Sequence, residues 1–589
     1  MIDRRQDTGS SAPGWQAAAL AAAAGPSLLA YNVAPSPTFF NQALAVALWG
    51  AFAALAAMGT AASAAPLRHA ARDITLPLAA IGLLLLSVLW SWGPGALPSG
   101  LALSAVGLLL AAALLMLSGA ALRASAQAVP FFASFCLGWV VAGVLNFAIG
   151  AVQVFAPDWL DGAWLARSGL PGRAVGNLRQ PNHLSSQLLW AAIAVVPLLE
   201  LGRIRRGLGW ALFALMTFAV VLTASRTGVL GVAVLALWGL LDRRLSRPTR
   251  RLLLLSPLWY ALAWLGLSAW AEASRHAFGG ETRLAEADLS GSRFGIWANT
   301  LGLIRQQPWK GVGFGEFNLA WSLTPFPGRP VAFFDHTHNL PLQLAVELGL
   351  PLAAAVLALL AVALWRVWRL SGVSDDAVSV TARSAWVMLL LMALHSQLEY
   401  PLWYAYFLLP TAWLFGYGLG VPASSAQVVP VARGMGTATR PLFVGGLLLV
   451  LGSALALVDY VRVAAIFMPP QDGTPLAERI AAGRRTWLFA HHADYAAVTT
   501  DDDPSTASPA FKEAPHYLMD TRLTIAWAMA LARAGELDKA RHLAQRLREF
   551  RNPLADEFFE VCDEPPTQAP RPFQCEAPAR VPEWREFLR

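Results

Sequence analysis

An all-α, polytopic membrane bundle is the fold this sequence predicts, and three observations carry the prediction. Of 589 residues, 56% are hydrophobic and only 14% charged, with 24 tryptophans and a mean hydropathy of +0.48. Runs of about 20 apolar residues, the length at which a helix crosses the hydrocarbon of a bilayer, recur along the chain. The arginines between those runs fall in alternate connections, as the positive-inside bias demands of a chain that weaves through a membrane. A soluble fold is not expected. The excess of 44 Lys and Arg over 37 Asp and Glu is accounted for by loop arginines, so no nucleic-acid partner is expected either.

In chain order, the first residues are polar, and the first apolar run lacks an A-x-A processing site and reads as a retained anchor. About thirteen spans are expected, at 17–33, 41–62, 74–92, 101–122, 130–155, 184–199, 208–224, 228–241, 252–270, 352–367, 384–398, 402–419 and 442–466. Arg68 and Arg72, Arg123, Arg203 to Arg206, Arg243 to Arg251, Arg366 and Arg369, and Arg433 and Arg440 all follow even-numbered spans. That alternation puts the N-terminus in the cytoplasm and the connections after odd-numbered spans outside.

Three outside segments result: 156–183, the long connection 271–350, and everything from about 467. The chain thus divides into an N-terminal transmembrane region, 1–155, a core at 156–466 that includes the 271–350 loop, and a helical outside domain, 467–589. In that domain an apolar helix from Thr521, an Ala-Gly-Glu-Leu turn and a second helix through Phe550 form a hairpin, either of the tetratricopeptide kind or an ordinary one. Cys136 lies in a span as packing. Cys562 and Cys575 can join in an oxidising compartment, the alternative being two free thiols in a proline-rich tail.

The most informative polar stretch is 333–351, Phe-Phe-Asp-His-Thr-His-Asn-Leu-Pro-Leu-Gln and onward. Asn339 can cap a helix, Pro341 suits its first turn, and Gly349 with Pro351 supplies a stop. His338 then sits at the positive end of a short helix, which disfavours imidazolium and leaves a ring that can accept a proton. His336 and His338 have no third ligand at a recognisable spacing, so metal-free chemistry without a cofactor is expected.

Outside arginines run against the topological bias. Arg226 follows Ser225 between two spans, and Arg293 opens an amphipathic stretch with Phe294, Trp297, Leu301 and Ile304 at helical spacing. Each is a phosphate ligand, a headgroup-snorkelling residue or half of an ion pair. Arg173, Arg179, Gln180, Asn182 and His183 form another polar group, with Asn182 read as a helix cap and Gln180 and His183 as facing an outer vestibule. In 395–404, Glu399 and Tyr400 are placed to orient a substrate hydroxyl or the His338 ring, and Tyr404 is expected in an aromatic belt.

Gln180-Pro181-Asn182-His183, Ser225-Arg226-Thr227-Gly228, Arg293 before an outside helix, His338-Asn339-Leu340-Pro341-Leu342-Gln343 with Glu347-Leu348-Gly349, and Glu399-Tyr400-Pro401 together resemble the bacterial PglL-type O-oligosaccharyltransferases. These share a superfamily with the O-antigen ligases and polymerases. The resemblance implies an inner-membrane glycosyltransferase with its site and tail in the periplasm. Its donor would be an undecaprenyl-diphosphate-linked oligosaccharide and its acceptor a Ser or Thr of an exported, pilin-like protein. It implies His338 as the essential histidine, Arg226 and Arg293 on the donor diphosphate, and Gln180 and Tyr400 as further needed polar residues; Glu399, Asn339 and Arg179 are read from the sequence itself as orienting residues beside them. Lipid A-core ligation, O-antigen polymerisation and a flippase remain as alternatives.

Overall fold

The structure is a computed structural model and describes residues 13–59, 67–280, 289–372, 377–421, 439–471, 473–501, 503–563 and 571–588. Among these residues every regular element is helical. Among the described residues nine helical stretches are long and apolar enough to cross a membrane: Phe39–Gly59, Thr75–Trp92, Ser99–Arg123, Ala128–Phe155, Pro181–Glu200, Arg247–Ser274 (two helices running on from each other), Leu350–Ser371, Ala377–His395 and Arg440–Phe467. The other expected spans coincide with shorter helices, Pro13–Leu28, Arg206–Leu222, Arg226–Leu241 and Ala405–Leu419. At 1.5 Å per residue these reach only about 22–26 Å, short of a ~30 Å hydrocarbon core. The end of the 41–62 span and Arg433 lie outside the described residues.

Pro181–Glu200 is the axis of the bundle. It is buried along nearly its whole length and walled by Ala128–Phe155, Arg206–Leu222, Arg226–Leu241 and Ala377–His395. Helices surrounded by lipid-like side chains gain little from hydrophobicity between themselves and associate instead through close packing at small residues. Two crossings show this. Gly50 and Gly446 meet backbone to backbone, where an added Cβ on either would lie within 2.7 Å of the other's carbonyl oxygen. Gly119 and Gly416 join Ser99–Arg123 to Ala405–Leu419, where a Cβ on Gly416 would fall 1.9 Å from the Met116 carbonyl.

The hairpin expected near the C-terminus is present as Thr521–Arg533 and Leu537–Phe550, turned at Gly535, whose φ of +81° is left-handed. It does not stand apart from the core. Residues from 504 onward pack onto the 311–334 part of the long connection in one hydrophobic cluster. Phe333 stacks on Phe550 at 3.7 Å, and the fully buried Arg329 guanidinium lies 4.5 Å over the same ring while pairing with Glu549 at 3.1 Å. His516 Nδ1 and Glu316 meet at 2.8 Å, both buried, and Asn318 Oδ1 accepts from the Met519 N–H at 2.7 Å. Cys562 and Cys575 form a disulfide and Cys136 is a buried thiol.

This docking yields an expectation. Phe550→Ala removes a stacked ring and uncovers Arg329, and truncating a buried aromatic typically costs ~3–5 kcal/mol. The full-length variant should melt at lower temperature and become cleavable between residues 329 and 338 under limited proteolysis.

Candidate active site

The helix expected to start at Asn339 is Leu340–Leu348. Asn339 Oδ1 accepts from the Leu342 N–H at 3.0 Å, and Gly349 ends the helix with a φ of +78°. His338, one residue before the cap, adopts a φ of +53°. A left-handed backbone is uncommon for a residue with a side chain and persists only where its surroundings enforce it. Here they do. Asn339 Nδ2 donates to the Gln397 carbonyl at 3.0 Å, the Leu340 N–H to the Ser396 carbonyl at 2.8 Å, and the Thr337 N–H to Gln343 Oε1 at 2.8 Å.

These ties hold His338 against Glu399. His338 Nδ1 lies 2.5 Å from Glu399 Oε2, while Glu399 Oε1 accepts from Arg293 and, at 2.8 Å, from Asn182 Nδ2. Burial pushes the Glu399 carboxyl up, but the His338 hydrogen bond and the Arg293 guanidinium outweigh it and keep the group an ionised carboxylate. An ionised carboxylate only accepts, so Nδ1 carries the hydrogen and a neutral ring keeps its lone pair on Nε2. The arrangement matches the orienting acid of a hydrolase triad in geometry.

Arg226 joins the cluster through its neighbour. Ser225 caps Arg226–Leu241 by accepting from the Gly228 N–H at 3.1 Å, and its hydroxyl donates to Asn182 Oδ1 at 2.6 Å. Asn182 therefore bridges the start of that helix to Glu399. Arg226 is exposed and forms no ion pair among the described residues. His338 and Arg293 thus meet on one carboxylate, and Arg226 stands one residue from a hydroxyl in the same hydrogen-bonded chain.

Several expectations are corrected. Asn182 is not the cap: Pro181 occupies the first turn, so the preceding Gln180 is, its side chain accepting from the Asn182 and His183 N–H groups. His183 does not face a vestibule but is buried, Nδ1 at 3.0 Å from the Tyr406 hydroxyl. Tyr404, half-buried, stacks toward Tyr400 and meets the His183 ring at 4.6 Å. On Leu289–Gln306 the buried face is Ile296, Thr300, Leu303 and the expected Ile304, with the expected Trp297 packed against the same cluster, whereas Phe294 and Leu301 are 65% and 45% exposed. Apolar spacing located that helix but only part of its inner face, because both of its faces carry apolar side chains.

The remaining expected residues surround the cluster. Tyr400 packs edge-on to the His338 ring at 4.9 Å and stacks on His336 at 4.3 Å, and burial raises its phenol above the ordinary range, leaving it a neutral donor. Arg179 donates to the Ala30 and Pro37 carbonyls, tying 171–180 to the loop after the first helix. Sequence reasoning quoted Ser225, Gln343 and Glu347 within motifs but gave no role to them or to Thr337. Gln343 Nε2 donates to Glu347 Oε1 at 2.9 Å, so Glu347 braces the residue that holds the Thr337 N–H. The signal was there: Gln343 and Glu347 are polar and one turn apart on an otherwise apolar helix.

Burial pushes the Glu347 carboxyl up to about 7, against donors from Gly315, Gln343 and Phe317. Between its ordinary value near 4.5 and about 7 the folded protein then binds more protons than the unfolded chain, so local stability falls as pH rises through that window. The loss is ~3 kcal/mol at most. Hydrogen exchange of the 313–317 and 337 amides should accelerate from pH 5 to 8 beyond its intrinsic rise.

In this multi-pass helical chain a histidine, a buried carboxylate and an arginine meet where several helices end. Three family models match parts of it: residues 211–357 match the O-antigen ligase model, 174–199 the protein glycosylation ligase model, and 384–556 the C-terminal model of a virulence factor membrane-bound polymerase. The first contains Arg226, Arg293 and His338, the second Gln180 and Asn182, the third Glu399 and Tyr400. More particularly, the chain is similar to two proteins of Acinetobacter baylyi. It is 28% identical over 372 residues to a general O-oligosaccharyltransferase, covering 58% of this chain and 62% of that one. It is 25% identical over 285 residues to a ComP-specific O-oligosaccharyltransferase, covering 47% and 50%. The match thus spans less than two thirds of either relative. The resemblance read from the motifs is borne out by these matches.

Proposed function

We propose that this protein transfers an oligosaccharide from an undecaprenyl-diphosphate carrier to a Ser or Thr hydroxyl of an exported, pilin-like protein, at the periplasmic face of a bacterial inner membrane. The observation that carries the reading is the hydrogen-bonded chain from His338 through Glu399 and Asn182 to Ser225, with Arg293 on the same carboxylate. In this reading the nine long helices and the four shorter ones all cross, the short ones where the bilayer thins locally to meet them, and about thirteen crossings place the N-terminus in the cytoplasm. Residues 1–155 form a membrane scaffold, 156–466 the transferase core and 467–589 a periplasmic, tetratricopeptide-like domain. The Cys562–Cys575 disulfide supports that side, because such bonds persist in oxidising compartments.

An alcohol attacks poorly until its proton leaves, and His338 Nε2 takes that proton as the oxygen bonds to the anomeric carbon. The bond from that carbon to the carrier oxygen breaks on the opposite face, so the anomeric centre inverts. Charge gathers on the departing diphosphate, where Arg226 and the Arg293 donors not engaged by Glu399 stabilise it more than in the ground state. Glu399, Asn339 and Tyr400 position the imidazole, while Gln180 and Arg179 shape the wall beside it. No step calls on a metal or cofactor.

A second reading, growth or ligation of an O-antigen glycan, is favoured by the matches to the ligase and polymerase models. Purified protein in nanodiscs, given a carrier-linked oligosaccharide together with a pilin-like protein and lipid A-core, decides between them by intact mass. Mass gained by the pilin supports the proposal. Gain on lipid A-core alone, or lengthened glycan on the carrier, supports the second reading, and no gain anywhere overturns both.

A further inference from the structure

The two helices that bring Arg226 and Glu399 to the site also carry charge at their far ends. Arg226–Leu241 runs on into Asp242, Arg243 and Arg244, and Ala377–His395 has Arg383 in its second turn. Sixteen residues of helix put that end about 24 Å from Arg226. There, with the end of Leu350–Ser371, they enclose an open groove of about 650 Å³.

Its walls are apolar, including Leu241, Trp368 and Trp386, and its lip carries Arg243, Arg244, Arg369 and Arg383 with one acid, Asp242. That acid is already matched, accepting from Arg383 Nε at 2.8 Å and from Trp238 Nε1 at 3.1 Å. Arg243 and Arg369 are exposed and form no ion pair among the described residues, and Arg369 lies 5.5 Å over the Trp365 ring. The Trp386 indole N–H has no acceptor among the described residues. Leu241 and Trp368 are 74% and 50% exposed, so the slot opens sideways toward the acyl region rather than into the bundle.

Two guanidinium groups with no ion pair among the described residues, set above an apolar slot, ask for a ligand with an anionic head and a hydrocarbon tail. A free phosphate has no use for the tryptophan and leucine walls, and a zwitterionic lipid brings no net charge to the lip. We propose that this groove, at the end of the bundle remote from His338, binds an anionic phospholipid, its headgroup phosphate on Arg243 and Arg369 and its acyl chains along Leu241 and Trp368. The site is separate from the glycan-transfer chemistry and does not depend on it.

The test is lipid retention by the full-length protein. Wild type, Arg243→Gln/Arg369→Gln and a control, Arg203→Gln, altered at an exposed arginine outside the groove, are reconstituted in mixed phosphatidylglycerol and phosphatidylcholine, then extracted and analysed by native mass spectrometry. Wild type and control should retain phosphatidylglycerol and phosphatidylcholine in a ratio about tenfold above that of the mixture, and the double variant should lose that preference. Retention of both lipids by share in wild type overturns the proposal, and this arm decides alone if the double variant does not fold. An unchanged preference in the double variant also overturns it. So does complete displacement of the lipid by inorganic phosphate, which would make the groove a site for a soluble anion.

Discussion

Replacing His338 with alanine is expected to reduce glycan transfer by roughly a hundredfold to ten-thousandfold, the usual contribution of a positioned base, while leaving the melting temperature close to wild type, because the ring is partly exposed and its backbone is fixed from both sides. Glu399→Gln should act differently. The carboxylate takes hydrogen bonds from His338, Arg293 and Asn182, and an amide there points its own N–H groups at one of those donors. Breaking a buried ionic partner in this way typically costs ~3–5 kcal/mol, so Glu399→Gln should lose both activity and stability. Single-turnover transfer measured beside thermal melts separates the two effects. Full transfer by His338→Ala would remove the imidazole from the chemistry.

The second large effect is expected far from the site. Gly416→Val places a branched side chain where even one added carbon would come within 1.9 Å of the Met116 carbonyl. Neither backbone can yield without separating Ser99–Arg123 from Ala405–Leu419, and Ala405–Leu419 is joined directly to the turn that follows Glu399 and Tyr400. Overpacking of this kind costs ~1–3 kcal/mol in a core that can adjust, and this crossing has little room to adjust. The variant should give little monodisperse protein in detergent. Gly452→Val, on Arg440–Phe467 where an added carbon meets nothing within 4 Å, should purify normally.

Much of this was legible in the residues. Apolar runs gave the segments that became helices, and Asn339, Pro341 and Gly349 marked both ends of the helix beside His338, because caps and stops are local chemistry. Glu399 was legible as a partner for the imidazole from its place in a polar knot. What escaped was of two kinds. The Asn182 reading failed on a local rule: a proline in the first turn makes the residue before it the cap, which frees the asparagine to bridge two distant segments. Pairs such as His516 with Glu316, or Arg329 with Phe550, join residues about two hundred positions apart, where no periodicity reports and only the folded chain brings them together.

The packing of the tail against 311–334 sets an order of events during biogenesis. Ribosomes emit the 311–338 segment well before its buttress, so for the time needed to make the intervening chain that segment has no Phe550, His516 or Met519 to rest on. A newborn molecule would therefore carry His338 beside an unsupported segment until residues 504–550 arrive and settle, and a chain cut short before Phe550 would keep it so.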